Sequence, residues 1–304
     1  MYCNLCPHEC NVLRKSTSFG YCKSFWIPGI ASICIHKGEE PVITGDKGIV
    51  NVFFTHCNLQ CCYCQNKQIS NNKSNDEAYH VSIEEATDRI AQLLDGGIPL
   101  LGFVSPSHHI DAMEKIIYLL NKNGIRPRIV YNSNGYDSIA TLKRIEKLVD
   151  IYLPDYKYAS NQLGSDLSGV KDYSQVALKA IKEMYRQKGS TILTDDNGYA
   201  ISGLIIRHLV LPGYLDNTKQ VLENIAWDIS TGIHLSLMAQ YNPHFYQGSN
   251  LNLLRKLTEE EYMMALEIKE NLGIYKGWTQ ELTSNDYYNP DFTMEHPFEE
   301  NILK

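Results

Sequence analysis

The sequence predicts an α/β fold built around a parallel sheet. Short β-rich runs alternate along the chain with amphipathic helical patterns, which is the order of successive βα units. Six such units can be counted from Asn51 onward, fewer than the eight of a closed barrel. Polar residues follow the end of each predicted strand, and in βα barrels that rim carries the chemistry. We therefore expect one polar rim above a largely apolar sheet.

Composition sets the class of protein. The chain has 304 residues, of which 43% are hydrophobic and 21% charged, and this suits one large α/β domain or two small ones. A net charge of −7 without a dense Lys/Arg run argues against a nucleic-acid partner. No apolar run reaches the ~18 residues of a membrane span. Nine cysteines in clusters, without an export signal, indicate metal ligands in a cytoplasmic protein.

The first predicted strand, Asn51–Thr55, leads into a cysteine loop. Cys57, Cys61 and Cys64 have the spacing Cys-x3-Cys-x2-Cys, and thiolates are the ligands of iron–sulfur clusters. A four-iron cluster needs four ligands, whereas this loop offers three. The remaining iron would be open to an exogenous ligand, as catalytic metal sites keep a free position. Cys62 is out of spacing and is expected to be a spectator.

A second cysteine set lies at the N-terminus. Four thiolates suffice to close a zinc site or to saturate a second iron–sulfur cluster, and a metal would supply much of the folding free energy of this segment. His8 is an alternative ligand, and both metals stay open. The set consists of Cys3, Cys6, Cys10 and Cys22. We expect residues 1–49 to form this Cys-rich segment, 50–274 the partial barrel and 275–304 an extension.

The remaining elements follow in order. Capping boxes at Ser82-x-x-Glu85 and Thr258-x-x-Glu261 predict the start of the first and last long helices. The C-terminal residues are acidic and aromatic, and 277–281 is expected to be an edge strand, a lid over the open barrel or part of a mobile tail. After the first strand, strands are predicted at Leu100–Val104, Arg128–Ser133, Ile151–Lys157, Ser202–Leu211 and His234–Tyr241.

Charged residues within the strands carry a prediction of their own. Side chains alternate faces along a strand, so Asp155 and Lys157 should both face the lumen, ~6.5 Å apart along the strand. Arg207 lies in the fifth strand. Buried charges are uncommon unless they pair with each other or with a charged ligand. Glu39 and Glu40, in contrast, are expected to be a pair of solvated charges.

The cysteine loop also carries a family resemblance. FFTHCNLQCCYCQN, with Tyr63 just before the last cysteine, resembles the signature of radical S-adenosylmethionine (radical SAM) enzymes. The same stretch resembles the branch that contains pyruvate formate-lyase activating enzyme and its uncharacterised relatives. The N-terminal stretch CNLCPHEC, with the later GYC, also resembles the N-terminal cysteine motif of those uncharacterised relatives. The resemblance implies a partial (β/α)6 TIM-like barrel and a 4Fe–4S cluster on Cys57, Cys61 and Cys64. S-adenosylmethionine would chelate the open iron.

The resemblance further implies a reaction and partners. One electron cleaves S-adenosylmethionine, and the resulting 5′-deoxyadenosyl radical abstracts a hydrogen from the substrate. The electron comes from a donor such as flavodoxin or ferredoxin. A glycyl-radical enzyme is one substrate that the resemblance implies, and another peptide or a small molecule is the alternative.

Site residues follow from the same resemblance. Asn132–Gly135, Asp155–Lys157 and Arg207 with Pro212-Gly213 resemble the D-T-N-G, D-L-K and R…P-G elements of the activating enzymes. By this resemblance Asp155 and Lys157 contact S-adenosylmethionine and Arg207 reaches its carboxylate. Asn132 replaces the family's acidic residue, and the G-G-E element that holds the amino group is replaced by Ser105, Ser107 and His108. The full predicted set of cofactor contacts is Tyr63, Gln65, Ser105, Ser107, His108, Asn132, Ser133, Asp155, Lys157, Arg207 and Gln240.

Two other functions compete with the radical enzyme. One is a non-catalytic iron–sulfur or zinc-binding protein in which both cysteine clusters are structural. The other is a radical enzyme that acts on RNA. The sequence assigns no catalytic base or radical relay, although Cys34, Tyr156, Tyr214 and Tyr241 have suitable side chains.

Overall fold

Strands and helices alternate through most of the chain. The computed structural model describes residues 2–14, 20–286, 289–294 and 296–298. The strands are β1 (Ile30–His36), β2 (Ile49–Phe54), β3 (Leu100–Val104), β4 (Arg128–Ser133), β5 (Ile151–Pro154), β6 (Leu193–Thr194), β7 (Ala200–Leu209), β8 (His234–Met238) and β9 (Gly277–Thr279).

Helices connect most of the strands. The first two helices are single turns, one after β1 and one after the cysteine loop. Each of the others lies between two parallel strands of the sheet. The helices are α1 (Pro41–Thr44), α2 (Lys67–Ser70), α3 (Ile83–Leu94), α4 (Ile110–Lys122), α5 (Ile139–Ile145), α6 (Asn161–Ser168), α7 (Tyr173–Lys188), α8 (Leu215–Asp228) and α9 (Glu259–Asn271).

The sheet has the order β1-β2-β3-β4-β5-β7-β8-β9, with β6 paired to β7. Every pair from β2 to β9 along this path is parallel, whereas β1 is antiparallel to β2. β1 and β9 are the two edges of the sheet. The predicted α/β class, a partial barrel of parallel βα units, is confirmed.

The structure departs from several of the predicted elements. β2, β7 and β8 have bounds that differ from those of the predicted strands, and β6 and α6 were not predicted. β5 ends at Pro154 rather than Lys157, and only a single bridge between Asp155 and Arg207 continues it. β1 was not predicted, and it brings residues 30–36 of the expected N-terminal segment into the sheet. β9 shows that residues 277–279 form an edge strand, one of the three alternatives. The Thr258 capping box is complete, whereas at Ser82 the structure records the serine half, which accepts from the backbone N–H of Glu85.

The two faces of the sheet bury different residues. One face packs against the helices, as Val52 and Phe54 of β2 do. The other face begins with an apolar layer that includes Ile49, Val130 and Leu153. Two residues further along the same strands, on the same face, stand polar side chains. These are Asn51 on β2, Asn132 on β4, Asp155 after β5 and Arg207 on β7. The last three form the floor of the candidate site.

In the part of the chain that the structure describes, every helix is too short or too polar to cross a membrane.

Candidate active site

One cavity at the carboxyl ends of the strands gathers most of the residues that the sequence singles out. The three loop cysteines line it, together with eight of the predicted cofactor contacts. Those lining residues are Cys57, Cys61, Cys64, Tyr63, Gln65, Ser105, Asn132, Asp155, Lys157, Arg207 and Gln240.

The other predicted contacts, Ser107, His108 and Ser133, do not line this cavity. The hydroxyl groups of Ser107 and Ser133 donate to the buried carboxylate of Asp137, from Ser107 at 2.6 Å. Burial lowers the pKa of His108 to about 3, so its imidazole is neutral. Its Nε2–H then donates to the backbone carbonyl of Thr55 at 2.9 Å. Ser107 and His108 therefore join the end of β3 to the ends of β4 and β2, whereas Ser133 contacts the loop that follows its own strand. Their residue types alone did not reveal these partners.

Arg207 is the centre of the cavity floor. Its Nε donates to Asp155 Oδ1 at 2.8 Å, and its two terminal nitrogens donate to Asn132 Oδ1 at 2.7 Å and to Glu39 Oε2 at 3.1 Å. Lys157 Nζ reaches the other oxygen of Asp155 at 2.7 Å. Strand parity therefore placed Asp155 and Lys157 on the correct side, but their side chains meet in an ion pair.

Burial and charge oppose each other in this ion-pair network. Burial alone would raise the pKa of Asp155, but Arg207 and Lys157 outweigh it, and the net effect lowers that pKa. Burial alone would lower the pKa of Lys157, but Asp155 reverses it, and the net effect is a raised pKa. Both groups are therefore charged at neutral pH.

The expectation that Glu39 and Glu40 are solvated is wrong. The Glu39 side chain is 9% exposed, and its Oε1 accepts from Asn51 Nδ2 at 3.2 Å and from Asn132 Nδ2 at 3.1 Å. Glu40 is buried as well, and burial raises its pKa. The antiparallel return from β1 to β2 carries both residues into the sheet interior. Gly102 leaves the room for Asn51, since a Cβ there would lie 2.0 Å from Asn51 Oδ1.

The three cavity thiols suit an iron–sulfur cluster by their chemistry. Burial raises the pKa of Cys57 to about 12 and that of Cys61 to about 11, so these thiols ionise only against a cation, and a bound metal deprotonates a coordinating thiol. Each sulfur also has a hydrogen-bonding neighbour, such as Asn134 Nδ2 at 3.4 Å from Cys57 Sγ. Among the described residues no three His, Cys, Asp or Glu side chains are arranged around a single ion. A four-iron cluster does not need that arrangement, because each of its thiolates binds a different iron.

The N-terminal cysteines lie beside the cysteine loop. Cys6 and Cys22 are buried. Burial raises the pKa of Cys6 to about 12, and the charges of Cys22, Cys3 and Cys10 add to the rise. The segment is tied to the loop because His8 Nε2 lies 2.8 Å from the carbonyl of Asn58. Because a carbonyl only accepts, Nε2 carries the proton, and Nδ1 is the ring nitrogen that a metal would use if His8 were the alternative ligand.

The C-terminal segment forms one wall of the cavity. Pro290 and Phe298 line it. Gln68 holds the segment by donating to Asp291 Oδ1 at 3.1 Å and accepting from the backbone N–H of Phe292 at 2.8 Å. Phe292 is 4% exposed and its ring meets that of Phe53 edge-on, with 5.4 Å between centroids. Two residues of the segment, Tyr287 and Tyr288, lie outside the described residues, as do Glu295 and residues 299–304.

We expect Phe292→Ala to release this wall without unfolding the barrel. A buried Phe→Ala change costs about 3–5 kcal/mol, and here that cost falls on the docking of one terminal segment. Limited proteolysis should cut the segment at least about tenfold faster, while the urea midpoint of the barrel stays near that of the wild type. Met294→Ala is the control, because Met294 is 51% exposed in the same segment. Equal cleavage rates in the two variants would contradict the contact.

Comparisons with known proteins agree with this architecture. Residues 51–223 match the family model of the radical SAM superfamily. The chain is 28% identical over 281 residues to an uncharacterized protein of Methanocaldococcus jannaschii, and the match covers 90% of this chain and 75% of that relative.

Solved structures give a likeness of fold alone. SuiB of Streptococcus suis, bound to the precursor peptide SuiA, aligns with a TM-score of 0.52 at 11% identity, covering 76% of this chain and 48% of SuiB. The protein anSMEcpe with bound AdoMet aligns with a TM-score of 0.50 at 12% identity, covering 79% and 62%. The chain therefore spans about half the length of SuiB. Since the family model covers more than half of the chain and begins at the strand that presents the cavity cysteines, this chain belongs to the radical SAM superfamily.

Proposed function

We propose that this protein reductively cleaves S-adenosylmethionine and uses the resulting radical to abstract hydrogen from a substrate. Membership of the radical SAM superfamily implies a 4Fe–4S cluster and S-adenosylmethionine. The observation that carries the proposal is that three thiols and the ion-pair network of Asp155, Lys157 and Arg207 line one cavity at the strand ends. The cluster and S-adenosylmethionine would supply the electron transfer and the radical, while the protein would bind and orient the substrate and exclude water.

The charged side chains have definite tasks in this proposal. Cys57, Cys61 and Cys64 would hold the cluster. Lys157 donates one of its three ammonium protons to Asp155, so it retains donors for the carboxylate of S-adenosylmethionine. Arg207 is already in contact with Asp155, Asn132 and Glu39, which fixes the direction of its guanidinium and favours a positioning role.

We further propose a protein or peptide as the substrate, with a glycyl-radical enzyme as one such protein. The sequence similarity of the cysteine loop to activating enzymes supports this proposal. An electron donor such as flavodoxin or ferredoxin and a cytoplasmic location complete the proposal. At the N-terminal cysteines we propose a second iron–sulfur cluster or a zinc ion.

The test is the formation of 5′-deoxyadenosine. We expect the anaerobically reconstituted protein, given S-adenosylmethionine and dithionite, to produce 5′-deoxyadenosine and methionine in equal amounts, measured by chromatography. Samples without dithionite should produce neither. If the fully loaded protein forms no 5′-deoxyadenosine, the structural metal-binding protein becomes the better account of both cysteine clusters.

A further inference from the structure

Each cavity sulfur has a polar side-chain group within hydrogen-bonding distance that can donate to it. Asn134 Nδ2 lies 3.4 Å from Cys57 Sγ, Ser168 Oγ lies 3.0 Å from Cys61 Sγ, and Ser70 Oγ lies 3.3 Å from Cys64 Sγ. A cysteine that ligates iron is a thiolate and can only accept, so in the loaded protein both hydroxyl groups must donate.

Ser168 differs from the other two because its hydroxyl belongs to a chain of hydrogen bonds. Its Oγ lies 2.9 Å from the hydroxyl of Tyr158, which in turn contacts the hydroxyl of Tyr63. Ser168 has one hydroxyl proton. If that proton points at Cys61, then Tyr158 donates to Ser168 and Tyr63 donates to Tyr158. All the donors in the chain are thereby aligned toward the sulfur.

The backbone holds Ser168 in this place. It is the last residue of α6, where helix carbonyls lack partners within the helix. The carbonyl of Ser168 accepts from the backbone N–H of Gln60 at 3.1 Å, and that of Leu167 accepts from Cys62 at 2.9 Å. Gln60 and Cys62 flank Cys61, so the helix end and the cysteine loop are fixed together around the Ser168–Cys61 contact.

The hydrogen-bonded side chains from Tyr63 to Ser168 are largely buried. Ser168 and Tyr158 are fully buried, and Tyr63 is 7% exposed. In such surroundings a hydrogen bond is electrostatically stronger than in water, and aligned hydrogen bonds polarise one another. Reduction of an iron–sulfur cluster adds one electron, and hydrogen bonds to the cluster sulfurs are among the features that set its potential. A donor aimed at Cys61 stabilises the more negative, reduced form.

We propose that Ser168, aligned by Tyr158 and Tyr63, is the positioning residue that sets the reduction potential of the cluster held by Cys57, Cys61 and Cys64. This inference rests on the proposed function. It gives the tyrosine that precedes the last cysteine a task beyond lining the cavity, and it gives α6 a part in the electron transfer.

The experiment is a redox titration of the reconstituted full-length protein, with the reduced cluster followed by its electron paramagnetic resonance signal. We expect Ser168→Ala to shift the midpoint potential to a more negative value. Tyr158→Phe should shift it in the same direction by a smaller amount, since Ser168 keeps its proton and loses only the polarising donor. Ser168→Thr retains a hydroxyl and should restore most of the wild-type potential.

Tyr262→Phe is the matched control. It also removes a buried tyrosine hydroxyl that donates a hydrogen bond, but to the carbonyl of Leu237. Its potential should equal that of the wild type. A wild-type potential in Ser168→Ala, or an equal shift in Tyr262→Phe, overturns the inference. If Ser168→Ala loads no cluster, the potential of Tyr158→Phe is the test, and a wild-type value in that variant overturns the inference. Failure of the wild type to load iron and sulfide would instead refute the proposed function.

Discussion

Replacing Cys57, Cys61 and Cys64 together by Ala is expected to reduce 5′-deoxyadenosine formation to background. The three thiols are the only cysteines that line the described cavity, and no other thiolate there would hold the cluster in their absence. Cys62→Ala is the control, because Cys62 lies in the same loop outside the ligand spacing, and it should retain both cluster and activity. A triple variant that still forms 5′-deoxyadenosine would contradict the assignment.

The same triple variant distinguishes between the two proposals for the N-terminal cysteines, a second iron–sulfur cluster and a zinc ion. Iron, sulfide and zinc are measured in the purified variant. Iron with sulfide that remains after loss of the cavity thiols would show a second cluster on Cys3, Cys6, Cys10 and Cys22. Zinc alone would show a structural site, in which the metal contributes folding free energy to a segment with little core of its own.

Arg207→Leu is expected to destabilise the protein by about 3–5 kcal/mol, because it removes the common partner of a buried ionic network. Asp155 and Glu39 would lose a charge-assisted hydrogen bond each, and Glu40 would lose the nearby positive charge. Urea unfolding of the metal-free protein measures the change. Arg144→Leu is the control, because Arg144 pairs with Glu114 and Asp111 on the surface and is 40% exposed. Exposed pairs contribute about 0–1 kcal/mol.

The loss of unfolding free energy in Arg207→Leu should depend on pH, and its direction can be predicted. In the wild type the pKa of Asp155 is lowered on folding. Its pair therefore stabilises the fold above the unfolded pKa of about 3.9, and this contribution is lost as the pH falls through the folded value. In the variant, burial is no longer offset by Arg207, so the pKa of Asp155 and that of Glu40 should rise. Protonation removes the cost of burying their charge, so the difference in stability from the wild type should narrow as the pH falls from 7 toward about 5. If Arg207→Leu lost no more unfolding free energy than Arg144→Leu at every pH, the proposed role of the ionic network would be contradicted.

Local sequence patterns sufficed for the scaffold and the cysteine loop. The alternation of strands and helices predicted the parallel units, and β3 and β4 have the predicted bounds. Cysteine spacing identified the cavity thiols, and strand parity pointed Asp155 toward the lumen. These features depend on neighbours within a few residues. For such features a repeat of apolar side chains every 2 or 3.6 residues already indicates which face is buried.

Contacts between distant segments could not be predicted from these patterns. Ser107 and His108 are polar residues at a strand end, yet they satisfy buried groups of neighbouring elements instead of facing the cavity. A residue type does not state which partner it meets.

The sequence by itself determined the class of fold, the thiols and the side of the sheet on which the charges stand. Only the tertiary structure decided what those groups touch. Glu39 reaches Arg207 across 168 positions of chain, and Ser168 reaches Cys61 across 107. Periodicity specifies that a face is buried, whereas the partner it meets depends on how all the strands and helices close around one interior.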